Sequence, residues 1–202
     1  MQIALTPILA LLAAYLLGSV PFAMISSKLF GLADPRTYGS GNPGATNVLR
    51  SGNKKAALFT LIGDALKGWA AVFIAQQMGL SGAVIGLVGL AVFFGHLYPV
   101  FLKFKGGKGV ATAAGVLLAL DPLLGLAVAG AWLFMAFVFR YSSLAAVVAA
   151  GLAPVISVLM HGGNSQALVA GILGMALIGK HWPNIQRLLA GQESKIGSKK
   201  KA

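Results

Sequence analysis

The chain has 202 residues, 57% hydrophobic and only 10% charged, where a soluble domain carries about 25% charged residues; with a mean hydropathy of +0.83, this excludes a large soluble core and marks an integral membrane protein. Sixteen Lys and Arg against four Asp and Glu give a net charge of +12, which is read as the positive-inside signal of cytoplasmic loops rather than as a nucleic-acid surface. The absence of cysteine excludes disulfide and thiolate chemistry.

The first apolar run, 3–27, has no basic leader and continues past Pro21, so it reads as a retained first helix. A polar string follows at 38–50, YGSGNPGATNVLR, just after Asp34–Pro35–Arg36. Gly39, Gly41, Pro43 and Gly44 predict a loop whose backbone N–H groups converge as in an anion-binding nest. Ser40, Asn42, Thr46 and Asn47 add neutral hydrogen-bonding groups, and Arg50 adds a fixed cation. The set suits a phosphate or an acyl phosphate; the plainer alternative is a polar inter-helix turn with helix caps.

The second run, 56–77, carries Asp64 and Lys67 at i and i+3. Charge inside an apolar span is costly unless paired or facing a polar cavity. Two accounts stand: an internal ion pair, or the floor of an active site. The third run, 81–102, contains His96 and leads into the second polar string, GHLYPVFLKFKGGKG at 95–109. There Lys103, Lys105 and Lys108 lie among Gly106, Gly107 and Gly109. Glycines let the backbone approach a ligand closely, and a helix starting near Gly109 points its positive end at an anion. The string is no Walker A loop, because Lys108 is followed by Gly109 rather than Ser or Thr, so nucleotide hydrolysis is unsupported.

The run 109–120 is short for a bilayer, and is read as a half-helix or a short span. Runs 123–139, 142–160 and 166–180 follow, and then the third string, GKHWPNIQRLLAGQE at 179–193. His181, Asn184 and Arg187 are three apart and share a face if the segment is helical, with Pro183 suited to a first helical turn. The alternative for His181 is an interfacial side chain beside Trp182. Glu193, the only glutamate, is expected to pair with a nearby cation. Residues 194–202 read as a solvated basic tail, with Lys199, Lys200 and Lys201 suited to anionic lipid.

Charge tests the number of spans. The connections after runs one, three, five and seven hold every Lys and Arg except Lys67, and the alternate connections hold none. The expectation is an all-α polytopic membrane protein with seven transmembrane helices, one of them short, N-terminus outside and C-terminus cytoplasmic. All three polar strings then face the cytoplasm. A single domain over 1–193 with the basic tail 194–202 completes the layout. No metal-ligand spacing, Ser-His-Asp relay or His-x4-Asp element is present, so no metal or cofactor is expected and the substrate of an enzyme arrives already activated. The competing class is a transporter for a small phosphorylated anion, which needs polar groups at mid-membrane and on both faces. Here the outer connections are nearly bare.

The ordered set GSVP (18–21), GSGNPGATNVLR (39–50), DALKG (64–68), GHLYPVFLKFKGGKGVAT (95–112) and HWPNIQRLLAGQE (181–193) resembles the bacterial membrane acyl-phosphate:glycerol-3-phosphate acyltransferases across essentially the whole chain. The resemblance implies acyl transfer from acyl phosphate to the sn-1 hydroxyl of glycerol 3-phosphate, in the bacterial inner membrane, giving lysophosphatidic acid and inorganic phosphate. It implies glycerol 3-phosphate, acyl phosphate, membrane lipid and the enzyme supplying acyl phosphate as partners. Ser40 and Arg50 match the family's functional serine and arginine. Gly106–Gly109, with Lys108, matches its glycine-rich substrate motif. His181, Asn184 and Glu193 match its third motif. Ser40, Arg50, Lys108, His181 and Asn184 are thus expected to be catalytic. Gly39, Gly41, Asn42, Gly44, Thr46, Asn47, His96, Gly106, Gly107 and Gly109 are expected to bind substrate. Asp64, Lys67, Arg187 and Glu193 are expected to support them. The segment Arg140–Ser143 matches more loosely and receives no role.

Overall fold

The computed structural model describes residues 2–197; Lys199, Lys200 and Lys201 of the expected basic tail lie outside the described residues. Among the described residues every regular element is a helix. Five helical stretches are long and apolar enough to cross a membrane: Leu5–Leu29, Lys54–Gln77, Gly82–Leu102, Pro122–Phe139 and Ser142–His161. Val110–Leu120 and Ser165–Lys180 are apolar but shorter. The outer surface is apolar, with Phe137 86% and Leu159 81% exposed. Such faces are stable against lipid, where helices satisfy their own backbone groups.

Helix α1 is Gln2–Ser19 and α2 is Phe22–Leu29. The first apolar run is therefore broken at Val20–Pro21 rather than continuous. Pro21 has no N–H to continue the ladder and biases Val20 away from helical dihedrals. The chain restarts by 3.1 Å and 2.9 Å bonds from Ile25 and Met24 N–H to Pro21 O. That leaves the Val20 carbonyl for another donor. The short α3, Ala45–Leu49, ends the polar loop, and α4, Lys54–Gln77, follows with Asn53 Oδ1 accepting from Ala56 N–H at 3.0 Å as its cap.

Helix α5, Gly82–Leu97, also ends earlier than the apolar run suggests, because Pro99 disfavours helix at Tyr98. A single tight turn, Val100–Leu102, leads through Lys103 (φ 51°) and Phe104 (φ 62°) to the glycine string. Helix α6, Val110–Leu120, starts directly after Gly109 (φ 87°), a conformation open to glycine. Helix α7 is Pro122–Phe139, α8 is Ser142–His161, α9 is Ser165–Lys180 and α10 is Trp182–Leu189.

The chain divides into two compact units at Gly125–Leu126, inside α7. In the first, α1 packs on α5 and α4 on α6. Backbones meet at small residues: a Cβ on Gly18 would strike Val92 O, on Gly95 Tyr15 O, on Gly68 Thr112 O, and on Gly115 Ala65 O. Close approach at glycine supplies dispersion contact where lipid offers no hydrophobic drive between helices. In the second unit α8 packs on α9 through alanines and Gly174, with Ala146, Ala150, Ala153, Ala170 and Leu173 buried.

Candidate active site

Two polar clusters lie in the first unit and one in the second. The first is the loop before α3. Asp34 opens it: Arg36 N–H and Nε–H donate to Oδ1 at 2.8 and 3.0 Å, and the guanidinium reaches Oδ2 at 2.6 Å. Arg36 is thereby engaged locally. Gly39 (φ 62°) and Gly41 (φ 68°) then turn the chain back over Asn47. Asn47 is buried, and its amide is spent on the protein. Its Oδ1 accepts from Ser40 N–H at 2.9 Å, Ser40 Oγ–H at 3.2 Å and Arg50 at 3.4 Å. Its Nδ2 donates to Pro35 O at 2.6 Å and Tyr38 O at 3.2 Å. Ser40 and Arg50, ten residues apart in sequence, are thus held over one oxygen, and both are exposed. Asn42 is half-buried and Thr46 exposed on the same loop, and Gly44 precedes α3 as its cap.

The second cluster is the glycine turn. Gly107 N–H donates to His96 O at 3.1 Å, tying the turn to the end of α5. Phe104 N–H donates to Pro99 O at 2.9 Å. Lys103 and Phe104, both with positive φ, together hold a conformation that non-glycine residues adopt only when their surroundings impose it. Lys108 is half-buried between Gly107 and Gly109, both buried. Beneath the turn the Asp64–Lys67 pair is present, Nζ to Oδ1 at 2.9 Å, and His96 Nδ1 joins it at 3.3 Å. Lys67 also donates to Val20 O at 3.0 Å, the carbonyl released where α1 breaks. A pocket here is lined by Ser19, Pro43, Asp64, Lys67, His96 and Gly107, among others.

The third cluster belongs to the second unit. His181 closes α9 and precedes α10; it is buried, with Nδ1 2.9 Å from Leu177 O. A carbonyl oxygen only accepts, so Nδ1 carries the proton and a neutral ring has its lone pair on Nε2. Pro183 lies in the first turn of α10. Glu193 gathers three donors: Asn184 Nδ2 at 2.6 Å and Ser143 Oγ at 2.8 Å on Oε1, Arg187 Nε at 2.7 Å on Oε2. The expected pairing of Glu193 with a cation is therefore with Arg187. Two participants come from the segment Arg140–Ser143, which the sequence left without a role. Ser143 reaches Glu193 from α8, and Arg140 (φ 62°) exchanges bonds with Ile196, N–H to Arg140 O at 2.6 Å and guanidinium to Ile196 O at 3.1 Å. The signal for both was the polar string RYSS interrupting two apolar runs.

Burial raises the Glu193 carboxyl, but the bonds from Asn184, Ser143 and Arg187 and the charge of Arg187 outweigh it and hold it below the ordinary carboxylate value. A depressed native pKa stabilises the docked segment above the unfolded pKa and loses that contribution as pH falls through the native one. Hydrogen-exchange protection of the Ile196 amide, corrected for intrinsic rate, should therefore be flat from neutral pH down to about 4.3 and fall in more acid solution. Glu193→Gln should lower the protection at neutral pH and remove the acid dependence. Unchanged protection in that variant would show that Glu193 does not hold the segment.

The family model for glycerol-3-phosphate acyltransferase matches residues 8–191. The glycerol-3-phosphate acyltransferase of Dechloromonas aromatica (strain RCB) is 87% identical over 202 residues, covering 100% of both chains. That of Burkholderia multivorans (strain ATCC 17616 / 249) is 62% identical over 197 residues, 96% of this chain and 93% of the relative. The crystal structure of PlsY (YgiH), an integral membrane glycerol 3-phosphate acyltransferase, in its glycerol 3-phosphate form superposes with a TM-score of 0.90 at 40% identity, covering 95% of this chain and 96% of that one. Its lysophosphatidic acid form gives 0.88 at 39% identity with the same coverage. With a match over nearly its whole length to family model, sequences and fold alike, the chain belongs to the glycerol-3-phosphate acyltransferase family.

Proposed function

We propose that this membrane acyltransferase takes its acyl group from acyl phosphate and delivers it to the sn-1 hydroxyl of glycerol 3-phosphate, the first acylation of bacterial phospholipid synthesis. The observation that carries the reading is Ser40 and Arg50 held together over Asn47 on an exposed, glycine-turned loop. A hydroxyl and a guanidinium side by side on an exposed loop suit recognition of an anionic group such as phosphate; the Ser40, Gly41 and Gly44 N–H groups are spent on Asn47 Oδ1, Tyr38 O and Asn42 O.

An acyl phosphate is already activated, so no acyl-enzyme is required. The hydroxyl oxygen attacks the acyl carbonyl carbon, the bond to the phosphate oxygen breaks, and phosphate leaves with the electron pair. The products are 1-acylglycerol 3-phosphate, or lysophosphatidic acid, and inorganic phosphate. Arg50 and Lys108 neutralise substrate phosphates. Ser40 and Asn184 orient reacting groups or donate to the oxyanion, each such donor being worth about 10²–10³ in turnover. His181 or a substrate phosphate takes the hydroxyl proton. His96 and the glycines Gly39, Gly41, Gly44, Gly106, Gly107 and Gly109, with Asn42, Thr46 and Asn47, shape the binding surfaces. Asp64, Lys67, Arg187 and Glu193 support them.

The alternation of basic connections supports seven crossings, N-terminus outside and C-terminus and active site on the cytoplasmic side of the inner membrane. One functional domain over 1–193 followed by a basic tail is the matching layout, since the sequence carries no boundary signal or internal repeat within 1–193. The acyl chain lies among the apolar helices, and an enzyme making acyl phosphate supplies it. A donor-resolved assay in lipid tests the reading: glycerol 3-phosphate with palmitoyl phosphate or with palmitoyl-CoA, following inorganic phosphate and lysophosphatidic acid. Stoichiometric products from the acyl phosphate alone are expected. Product from the thioester alone would overturn the donor, and product from neither, in folded protein, the proposed reaction as a whole.

A further inference from the structure

The Asp64–Lys67–His96 trio is the most deeply buried ionic group described in the first unit: side chains of Lys67 and Asp64 are 1% and 5% exposed, and that of His96 8%. A buried ion pair is seldom retained for stability, since an apolar pair of similar volume is often as stable or more so; its better-attested use is to fix one geometry among several. The trio's location says which geometry. Asp64 and Lys67 lie on α4, and Lys67 is tethered to the broken end of α1 through Val20 O. His96 comes from the last turn of α5 and reaches Asp64 with Nδ1. The opposite edge of its ring underlies the glycine turn: a Cβ built on Gly107 would run into Nε2, and one on Gly106 into the His96 carbonyl. The His96 carbonyl in turn accepts the Gly107 N–H at 3.1 Å. One residue thus meets the turn twice, by ring and by backbone, and its ring is held from behind by a charge.

We propose that His96, anchored by Asp64 and Lys67, is a positioning residue that sets the Gly106–Gly109 turn, and through it Lys108, for binding glycerol 3-phosphate. In this role it acts through the turn and moves no proton in the reaction. The inference rests on the reading of the chain as a binder of that acceptor. The split in its test is between the two substrates: a residue acting through the turn alters acceptor affinity, whereas a residue needed only for helix packing alters stability and both substrates together.

The test measures equilibrium binding of glycerol 3-phosphate by calorimetry to the purified protein in lipid nanodiscs, which needs no acyl donor, alongside the KM for palmitoyl phosphate. His96→Ala should weaken acceptor binding about tenfold or more and leave the KM for palmitoyl phosphate within about twofold. His96→Asn, which can keep a polar group facing Asp64 but lacks the ring edge that meets Gly107, should bind acceptor more weakly than the unaltered protein and at least as well as His96→Ala. The pair Asp64→Asn with Lys67→Met removes both charges without stranding either, and should weaken acceptor binding at least about fivefold. It is the independent reading should His96→Ala fail to fold. Unchanged acceptor binding in folded His96→Ala, or in the paired variant, overturns the proposal. So do equal losses for both substrates, or unchanged acceptor binding in folded His96→Asn, which lacks the ring edge beneath Gly107. Absence of acceptor binding by the unaltered protein is a separate result, which overturns the assignment of glycerol 3-phosphate itself.

Discussion

Replacing Asn47 by Ala is expected to reduce turnover about 10²-fold or more, because misplacing catalytic groups by about an ångström has that effect. Asn47 supplies one oxygen to Ser40 N–H, Ser40 Oγ–H and Arg50, and two N–H donors to Pro35 O and Tyr38 O. Truncation releases the loop at both ends. The buried Pro35 carbonyl left unsatisfied costs about 1–3 kcal/mol, so the loop reorganises rather than keeping Ser40 over Arg50. Asn47→Asp sharpens the expectation. The acid keeps an acceptor for Ser40 and adds charge for Arg50, but places an oxygen where Nδ2 now lies 2.6 Å from Pro35 O. Two acceptors at that distance repel, so Asp should also lose about tenfold or more. Turnover and the KM of each substrate, with a thermal melt in lipid as the folding control, read the result. Near-normal turnover in Asn47→Asp would mean that the donors to Pro35 and Tyr38 do not set the loop.

This role illustrates what the sequence carried and what it withheld. The helices were legible because twenty-residue apolar runs have few alternatives in a membrane. Their ends were less so: Pro21 and Pro99 lie inside the apolar runs, and hydropathy does not register that proline removes a donor and constrains its predecessor. Among the described residues seven apolar runs gave seven helical stretches, of which five are long enough to cross on length and composition. Within the first polar string, Asn42 and Asn47 are equivalent by type and setting. Only the fold buries one and leaves the other half-exposed. The ion pair of Asp64 and Lys67 was legible from its i, i+3 spacing, since that spacing alone makes neighbours on a helix. The arrival of His96 was not, because it depends on α5 packing against α4. Nor was the bond from Ser143 to Glu193, whose partners are 50 residues apart. Local periodicity announces local pairs; convergence on one carboxylate is decided by tertiary packing.

The largest loss in the second unit is expected at His181. If it is the general base, His181→Asn should lower kcat about 10²–10⁴-fold with little change in glycerol 3-phosphate binding. Asparagine is the informative choice. Its Nδ2 can keep the donation to Leu177 O that the ring makes at 2.9 Å. It also suits the position, since residue 181 caps the start of α10 and Asn is a favoured cap. What it removes is the Nε2 lone pair. The competing base is a phosphate oxygen of the substrate. An acid limb in the pH–rate profile does not separate them, because protonation of either an imidazole or a phosphate monoester removes the base as the solution becomes acid. The variant does. Loss of turnover together with disappearance of the acid limb assigns the proton to His181. Turnover within about tenfold of normal, with the limb intact, assigns it to the substrate phosphate and leaves His181 the task of holding α9 and α10 in register.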